Sequence, residues 1–161
     1  MAAVLSETHP LRMLAAAVVG RPVAISCLVE PGARAWADGE RIYLAAERLA
    51  GEGSRELLVQ CSLLAGGSLA GVGLRTLIGS IEQRQRFLLL EVERCCGLIA
   101  DRLPVAFLAA VAAFRSGHAP QNAAESLGIA RSWSRLPQPP AWYGTLKPWR
   151  VMRRNLQGGA A

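Results

Sequence analysis

Ala35-Trp36-Ala37-Asp38-Gly39-Glu40-Arg41-Ile42-Tyr43-Leu44, residues 35–44, decides the fold class of this chain. Asp-Gly tolerates the positive φ of a tight turn, and apolar and aromatic residues flank it, so the stretch predicts a β-hairpin. Just upstream, Val23, Ile25, Cys27 and Val29 alternate with Ala24, Ser26 and Leu28, which is the period of a strand. Pro31-Gly32 ends that strand as a turn. Together these signals predict a small antiparallel sheet of two or three strands. Further upstream, Pro10 followed by Leu11, Met13, Leu14 and Val18 predicts a short helix that starts at the proline and stops at Gly20.

Downstream of the hairpin every signal is helical. Ser54 is the expected N-cap of a helix over Glu56–Ala65, apolar nearly all round and therefore central to the core. Ser80 and Gln83 form an S-x-x-Q capping box that opens a longer helix running to about Arg102, with Ile81, Leu88, Val92, Cys95 and Ile99 as its inner stripe. Pro104 starts a third helix through Phe107, Val111 and Phe114, ending near Gly117, and Pro120 to Ile129 offers one more. The fold class is then α+β and mostly helical: a small antiparallel β-hairpin sheet packed on a bundle of four to five helices. From Arg131 the composition changes, and Pro137, Pro139 and Pro140 cannot propagate a helix. The expected organisation is a helical α+β domain over 1–130 and a Pro-containing basic tail or linker over 131–161.

The composition bounds the function. With 161 residues, 52% hydrophobic and 19% charged, the chain is far too apolar to be disordered and long enough to bury a core without disulfides. Its net charge of +6 is unevenly placed: residues 1–130 carry 12 basic and 12 acidic residues, while 131–161 carry Arg131, Arg135, Lys147, Arg150, Arg153 and Arg154 with no acid. A nucleic-acid domain spreads positive charge over its folded face, and the body here has no such excess. Met1 to Leu5 lack the basic start of a signal peptide, which predicts a cytoplasmic protein whose Cys27, Cys61, Cys95 and Cys96 are reduced core residues. Leu57 to Leu74 is uncharged but interrupted by Gln60, Ser62, Ser68 and four glycines, so it reads as a core helix and a Gly-rich loop, not a membrane span.

No catalytic, cofactor-binding or metal-ligating residues emerge. His9 and His118 are the sole imidazoles; one sits near the N-terminus and the other in a Ser-Gly-His-Ala-Pro turn, where solvated histidine is the default. Gln60-Cys61-Ser62-Leu63-Leu64 occupies the kind of helix in which a zinc protease places H-E-x-x-H, without ligand or base. Gly66 to Gly73 lacks the Lys and Ser/Thr of a phosphate-binding loop. Gln60 is expected to bond a loop backbone, and Asp38 to serve its turn. The remaining candidates are Trp142, Tyr143, Lys147, Trp149, Arg150, Arg153 and Arg154, a mixture of aromatic and cationic residues suited to docking a partner. The competing reading is a fold-back that buries the aromatics against the body and leaves the arginines in water.

Three stretches carry a resemblance to a known family: Trp36 to Leu44, Val59-Gln60-Cys61-Ser62-Leu63-Leu64-Ala65-Gly66-Gly67-Ser68-Leu69, and Tyr143-Gly144-Thr145-Leu146-Lys147-Pro148-Trp149-Arg150. In order and spacing they resemble the N-terminal region of actinobacterial nitric oxide reductase activation proteins. That resemblance implies a helical domain preceding a von Willebrand factor A domain, which binds a divalent cation through D-x-S-x-S and works with a MoxR-class AAA+ ATPase in metalloenzyme maturation. Here neither Asp38 nor Asp101 is followed by serines at the third and fifth positions, so no metal ligand carries over, and the expected reading is the N-terminal domain without the von Willebrand domain. The expected function is a non-enzymatic accessory or protein-interaction domain, with an AAA+ ATPase or a von Willebrand factor A domain as partner. The alternatives are a nucleic-acid-binding protein using the basic tail and an enzyme of unfamiliar type, which a deep pocket lined by Gln60, Asp38 and Tyr43 with strongly perturbed titration would favour.

Overall fold

The computed structural model describes residues 2–51 and 53–159. The Asp-Gly hairpin forms as its residues predict. Strand β3 (Trp36–Ala37) pairs antiparallel with β4 (Arg41–Ala45), Trp36 opposite Tyr43, and Gly39 turns the chain at φ 105°. The sheet as a whole is mixed rather than antiparallel. Strand β2 (Ala24–Leu28) lies parallel to β4, with Ile25 beside Ile42 and Cys27 beside Leu44, and the short β1 (Ala3–Val4) pairs antiparallel with the outer edge of β2. The order is β1-β2-β4-β3. Burial explains the parallel pair: Ile25, Ile42 and Leu44 are fully buried, so β4 needs a strand on each side to satisfy its backbone, and the hairpin supplies just one.

Helix α1 (Pro10–Val19) begins at its proline, and His9 caps it, Nδ1 accepting the Leu11 N–H at 3.2 Å. His9 thus serves as the cap of α1. Helix α2 (Gly53–Ala65) starts ahead of Ser54, which falls inside the first turn instead of at the cap. Leu57, Val59, Cys61 and Leu63 are buried along it, and it packs on α1, on β4 and on α3 (Ile81–Leu98). The Ser80 cap forms, its hydroxyl accepting the Gln83 N–H at 3.2 Å. α-Helical bonding stops at Leu98 and a 3-10 turn, Ala100–Arg102, continues to the expected end, because Pro104 disfavours helical backbone at Leu103. Helices α4 (Val105–Ala112) and α5 (Ala123–Ala130) follow, both packed on α3.

All four cysteines are buried and unpaired. Burial pushes Cys61 and Cys95 up to about 12 and Cys96 to about 11, which makes them inert as thiolates at neutral pH. Beside Cys95 lies a charged spot of the interior. Glu91 is fully buried and accepts hydrogen bonds from Arg94 at 2.7 and 2.8 Å and from the Ser68 hydroxyl at 2.5 Å. Arg94 also donates to the Gly66 carbonyl at 3.0 Å, tying the Gly-rich loop to α3. Burial alone would raise the Glu91 pKa, but Arg94, the neighbouring Ser126 hydroxyl and Ser68 together hold it below the ordinary 4.5.

The segment expected as a tail or linker, 131–161, packs on the body through residue 159. Pro137, Pro139 and Pro140 keep it extended along the surface, and Trp142 then meets Phe107 and Phe114 edge to face at 6.1 and 6.2 Å. Tyr143 and Leu146 join the same buried core as Ile25 and Leu57. Two polar contacts fix the register: Gln60 Nε2 donates to the Tyr143 carbonyl at 3.1 Å, and the Thr145 N–H donates to the Ala35 carbonyl at 2.8 Å. Helix α6 (Pro148–Gly158) follows, with Val151 fully buried, against the 3-10 turn Val72–Leu77. Tyr143, Leu146 and Val151 therefore share one core with residues that precede Arg131.

Gly144, between the two contacts, has φ 80°, and a Cβ there would stand 2.2 Å from the Ala35 carbonyl oxygen. Gly144→Ala should cost roughly 3 kcal/mol by denaturant unfolding, from left-handed strain plus the lost close approach; a loss below about 0.5 kcal/mol would refute the seam. Glu91→Ala, which strands Arg94, should cost about 3 kcal/mol. Because the folded pKa of Glu91 is depressed, its contribution is complete above pH 4.5 and fades as pH falls through the lowered value. Urea midpoints followed from pH 6 down to pH 3 should fall more steeply for the wild type than for the Glu91→Ala variant.

Candidate functional site

The seam just described delivers α6 to the outer side of the hairpin. Trp36 and Tyr43, cross-strand partners, stack with ring centres 3.9 Å apart and planes 6° from parallel, and Lys147 Nζ lies 4.7 Å from the Trp36 ring centre. Asp38 organises the polar end of this stack. Its Oδ1 accepts the backbone N–H groups of Glu40 and Arg41 at 3.0 and 2.9 Å, and its Oδ2 accepts the Tyr43 hydroxyl at 3.2 Å. The Asx turn expected of Asp38 is present, but the carboxylate has a second duty: Arg154 of α6 stands 3.7 Å from Oδ2 and also bonds Glu40. Burial first, and then the charge of Asp38, raises the Tyr43 pKa, so the phenol stays protonated.

Between α6 and the stack runs a groove of about 210 Å³ lined by Trp36, Asp38, Tyr43, Arg150, Arg153 and Arg154. Arg150 and Arg153 are exposed, and among the described residues neither has an acidic partner. Two buried donors at this groove, Trp36 Nε1 and Arg154 Nε, make no hydrogen bond among the described residues. Trp149 is 42% and Leu156 77% exposed. Trp149, Arg153 and Leu156 stand at i, i+4 and i+7, so they form one outward stripe opposite buried Val151.

The seven aromatic and cationic residues singled out from the sequence thus divide. Tyr143 is buried, Trp142 is half-buried with Arg55 5.0 Å from its ring centre, Lys147 lies over Trp36, and Arg154 bonds Asp38 and Glu40. Trp149, Arg150 and Arg153 are left facing solvent, with Arg84 5.6 Å from the Trp149 ring centre. Sequence reasoning missed Leu156, whose signal is its spacing from Trp149 once α6 is known to be a helix. Gln60 is in the core, bonded to the Tyr143 carbonyl, while Asp38 and Tyr43 are at the groove, so the three do not line one pocket. Among the described residues no cluster of three His, Cys, Asp or Glu side chains is placed to hold a metal, and no helix is long and apolar enough to cross a membrane.

No family model matches the chain, and neither a curated protein nor a solved structure matches it.

The ion pairs of Arg154 are partly exposed, so their worth is small and salt-dependent. Arg154→Ala should lower global stability by less than about 1 kcal/mol yet speed amide exchange through α6, read by hydrogen-exchange mass spectrometry. Unchanged exchange in α6 would show that the clip to Asp38 and Glu40 does not hold the helix.

Proposed function

We propose that this chain is a non-enzymatic protein-interaction domain that docks an acidic partner on the outer face of α6. The observation that carries the reading is the pair Arg150 and Arg153, exposed and without acidic partners among the described residues, beside the exposed apolar side chains of Trp149 and Leu156. A stripe with i, i+4 and i+7 anchors is the pattern by which an amphipathic helix enters a groove on another protein. The cations set orientation and encounter rate, and the indole and leucine supply the buried area.

A protein partner is favoured over nucleic acid by magnitude. With two free arginines on this face, a nucleic-acid complex would release about two counterions, giving a salt slope near −2, too shallow for useful affinity at physiological salt. The resemblance in residues 36–44, 59–69 and 143–150 suggests which acidic partner to try: a MoxR-class AAA+ ATPase or a separate von Willebrand factor A domain, in the cytoplasm, during metalloenzyme maturation. Titration of this protein against each purified candidate by calorimetry, with a mobility-shift assay on duplex DNA in parallel, tests the proposal. Binding to one of them that Arg150→Glu/Arg153→Glu weakens about 30-fold or more, with no shift of DNA, supports it. Binding to neither, or binding indifferent to the two reversals, overturns it; a DNA shift lost in the double variant would favour nucleic acid instead.

A further inference from the structure

Away from α6, the loop after α5 holds Trp133 wholly in solvent, 101% exposed. The loop is nonetheless rigidly tied. Arg86 of α3 donates to the carbonyls of Ile129, Ala130, Ser132 and Ser134 at 2.7 to 3.3 Å, and the Ser132 and Ser134 hydroxyls bond each other at 2.9 Å. An indole presented on a pre-organised turn loses little entropy on binding, which is the property of an interface anchor. Arg131 and Arg135, both exposed, flank it.

At the other end of α5 is its counterpart. An apolar pocket of about 220 Å³ opens between α5 and the Gly-rich segment 68–74, with Phe87 of α3 at its side, lined also by Gly71, Leu74, Ala123, Ala124 and Leu127. A dry cavity of about 150 Å³ already takes benzene, so this one has room for an indole ring. Exposed Glu125 follows directly on Ala124, giving the pocket an acidic neighbour to meet the cations beside Trp133. Arg86 holds the loop at the Ser132 and Ser134 carbonyls and the end of α5 at those of Ile129 and Ala130, with Trp133 left in solvent, so an indole that enters this pocket comes from another molecule.

We propose that this face is a self-association surface in which Trp133 of one copy fills the apolar pocket of a second, and reciprocally. A two-fold axis near Gly128, with the two α5 helices antiparallel, brings each indole opposite the other copy's pocket. Ala124 and Gly128 are exposed and small, so the helices can approach closely. Two indoles bury about 200 Å² each, and the α5 faces between them must supply most of the remaining area of a specific interface. A contact of this kind makes a weak, reversible dimer. A lipid surface is the weaker occupant, because one indole and two arginines give marginal membrane affinity and a fluid bilayer gains nothing from a rigid turn.

Sedimentation equilibrium of the full chain from about 1 to 100 µM tests this. The wild type should dimerise, Trp133→Ala should raise Kd about 30-fold or more, and Ala124→Phe, which fills the pocket from an exposed position, should do the same. Both sites are at the surface, and circular dichroism confirms folding. Mixing the two variants restores one of the two contacts, so the mixture should associate more tightly than either variant alone. A wild type monomeric throughout, a dimer that either variant leaves intact, or no recovery on mixing overturns the proposal. So does a monomer that pellets with anionic vesicles through Trp133, which would assign the indole to lipid.

Discussion

The structure depends on one seam, where the backbone of Tyr143, Gly144 and Thr145 threads between α2 and the hairpin. Gln60 is a buried polar residue on α2, and its side-chain N–H donates to the Tyr143 carbonyl. A typical hydrogen bond adds only about 1 kcal/mol net, whereas a stranded buried amide costs about 1–3 kcal/mol. The asymmetry means that α2 tolerates Gln60 because the chain returns to meet it. The same return covers the Ala35 carbonyl with the Thr145 N–H and buries Leu146 and Val151. Hairpin, central helix and final helix are therefore parts of one cooperative unit, and Gly144 is the residue that lets their backbones come so close.

Charge distribution looks different once the seam is closed. Along the chain the positive excess is confined to residues 131–161, which suggests an extension free to bind elsewhere. In the fold, part of it faces inward: Arg154 reaches Asp38 and Glu40, 116 and 114 residues earlier in the sequence. Such pairs at half-exposed positions contribute little to stability, and the buried Val151 and Leu146 supply the attachment. What the ion pairs add is rotational setting. They hold α6 so that Arg150, Arg153 and Trp149 face outward, and an apolar contact alone would leave that angle loosely defined.

What could be read from the sequence follows the range of the interactions involved. The Asp-Gly hairpin, the Ser80–Gln83 cap and the Pro10 helix start are local, decided within four residues by backbone preference and hydrogen bonding, and each is present. The parallel pairing of β2 with β4 is not local: nothing in Val23 to Val29 tells whether its neighbour is the first or the second arm of the hairpin. The fold-back is less local still, since Gln60 and Tyr143 are 83 residues apart. The prolines that read as linker chemistry are compatible with either a free or a pinned strand, because fixing φ stiffens a chain without saying what it lies against. For the site, residue types were legible and availability was not: whether an arginine is free depends on which carboxylate the fold brings to it.

The two outward surfaces differ in the force they use, and this bears on how they could act together. The α6 face is led by cations, whose reach is about 8 Å at physiological ionic strength and shrinks as salt is added. The α5 face is led by an indole and a carbon-lined pocket, and apolar burial is little affected by screening and is strengthened by salts excluded from the surface. Arg86 and Arg154 make each arrangement possible from inside, one by clamping the loop that carries Trp133 and the other by setting the roll of α6. Neither of these arginines is itself free to bind. Self-association through α5 would leave α6 uncovered and double the number of cationic faces per particle, so that two weak docking contacts would act on one partner assembly with the gain in avidity that linkage gives. A ring-shaped or multivalent acidic partner would feel that doubling most.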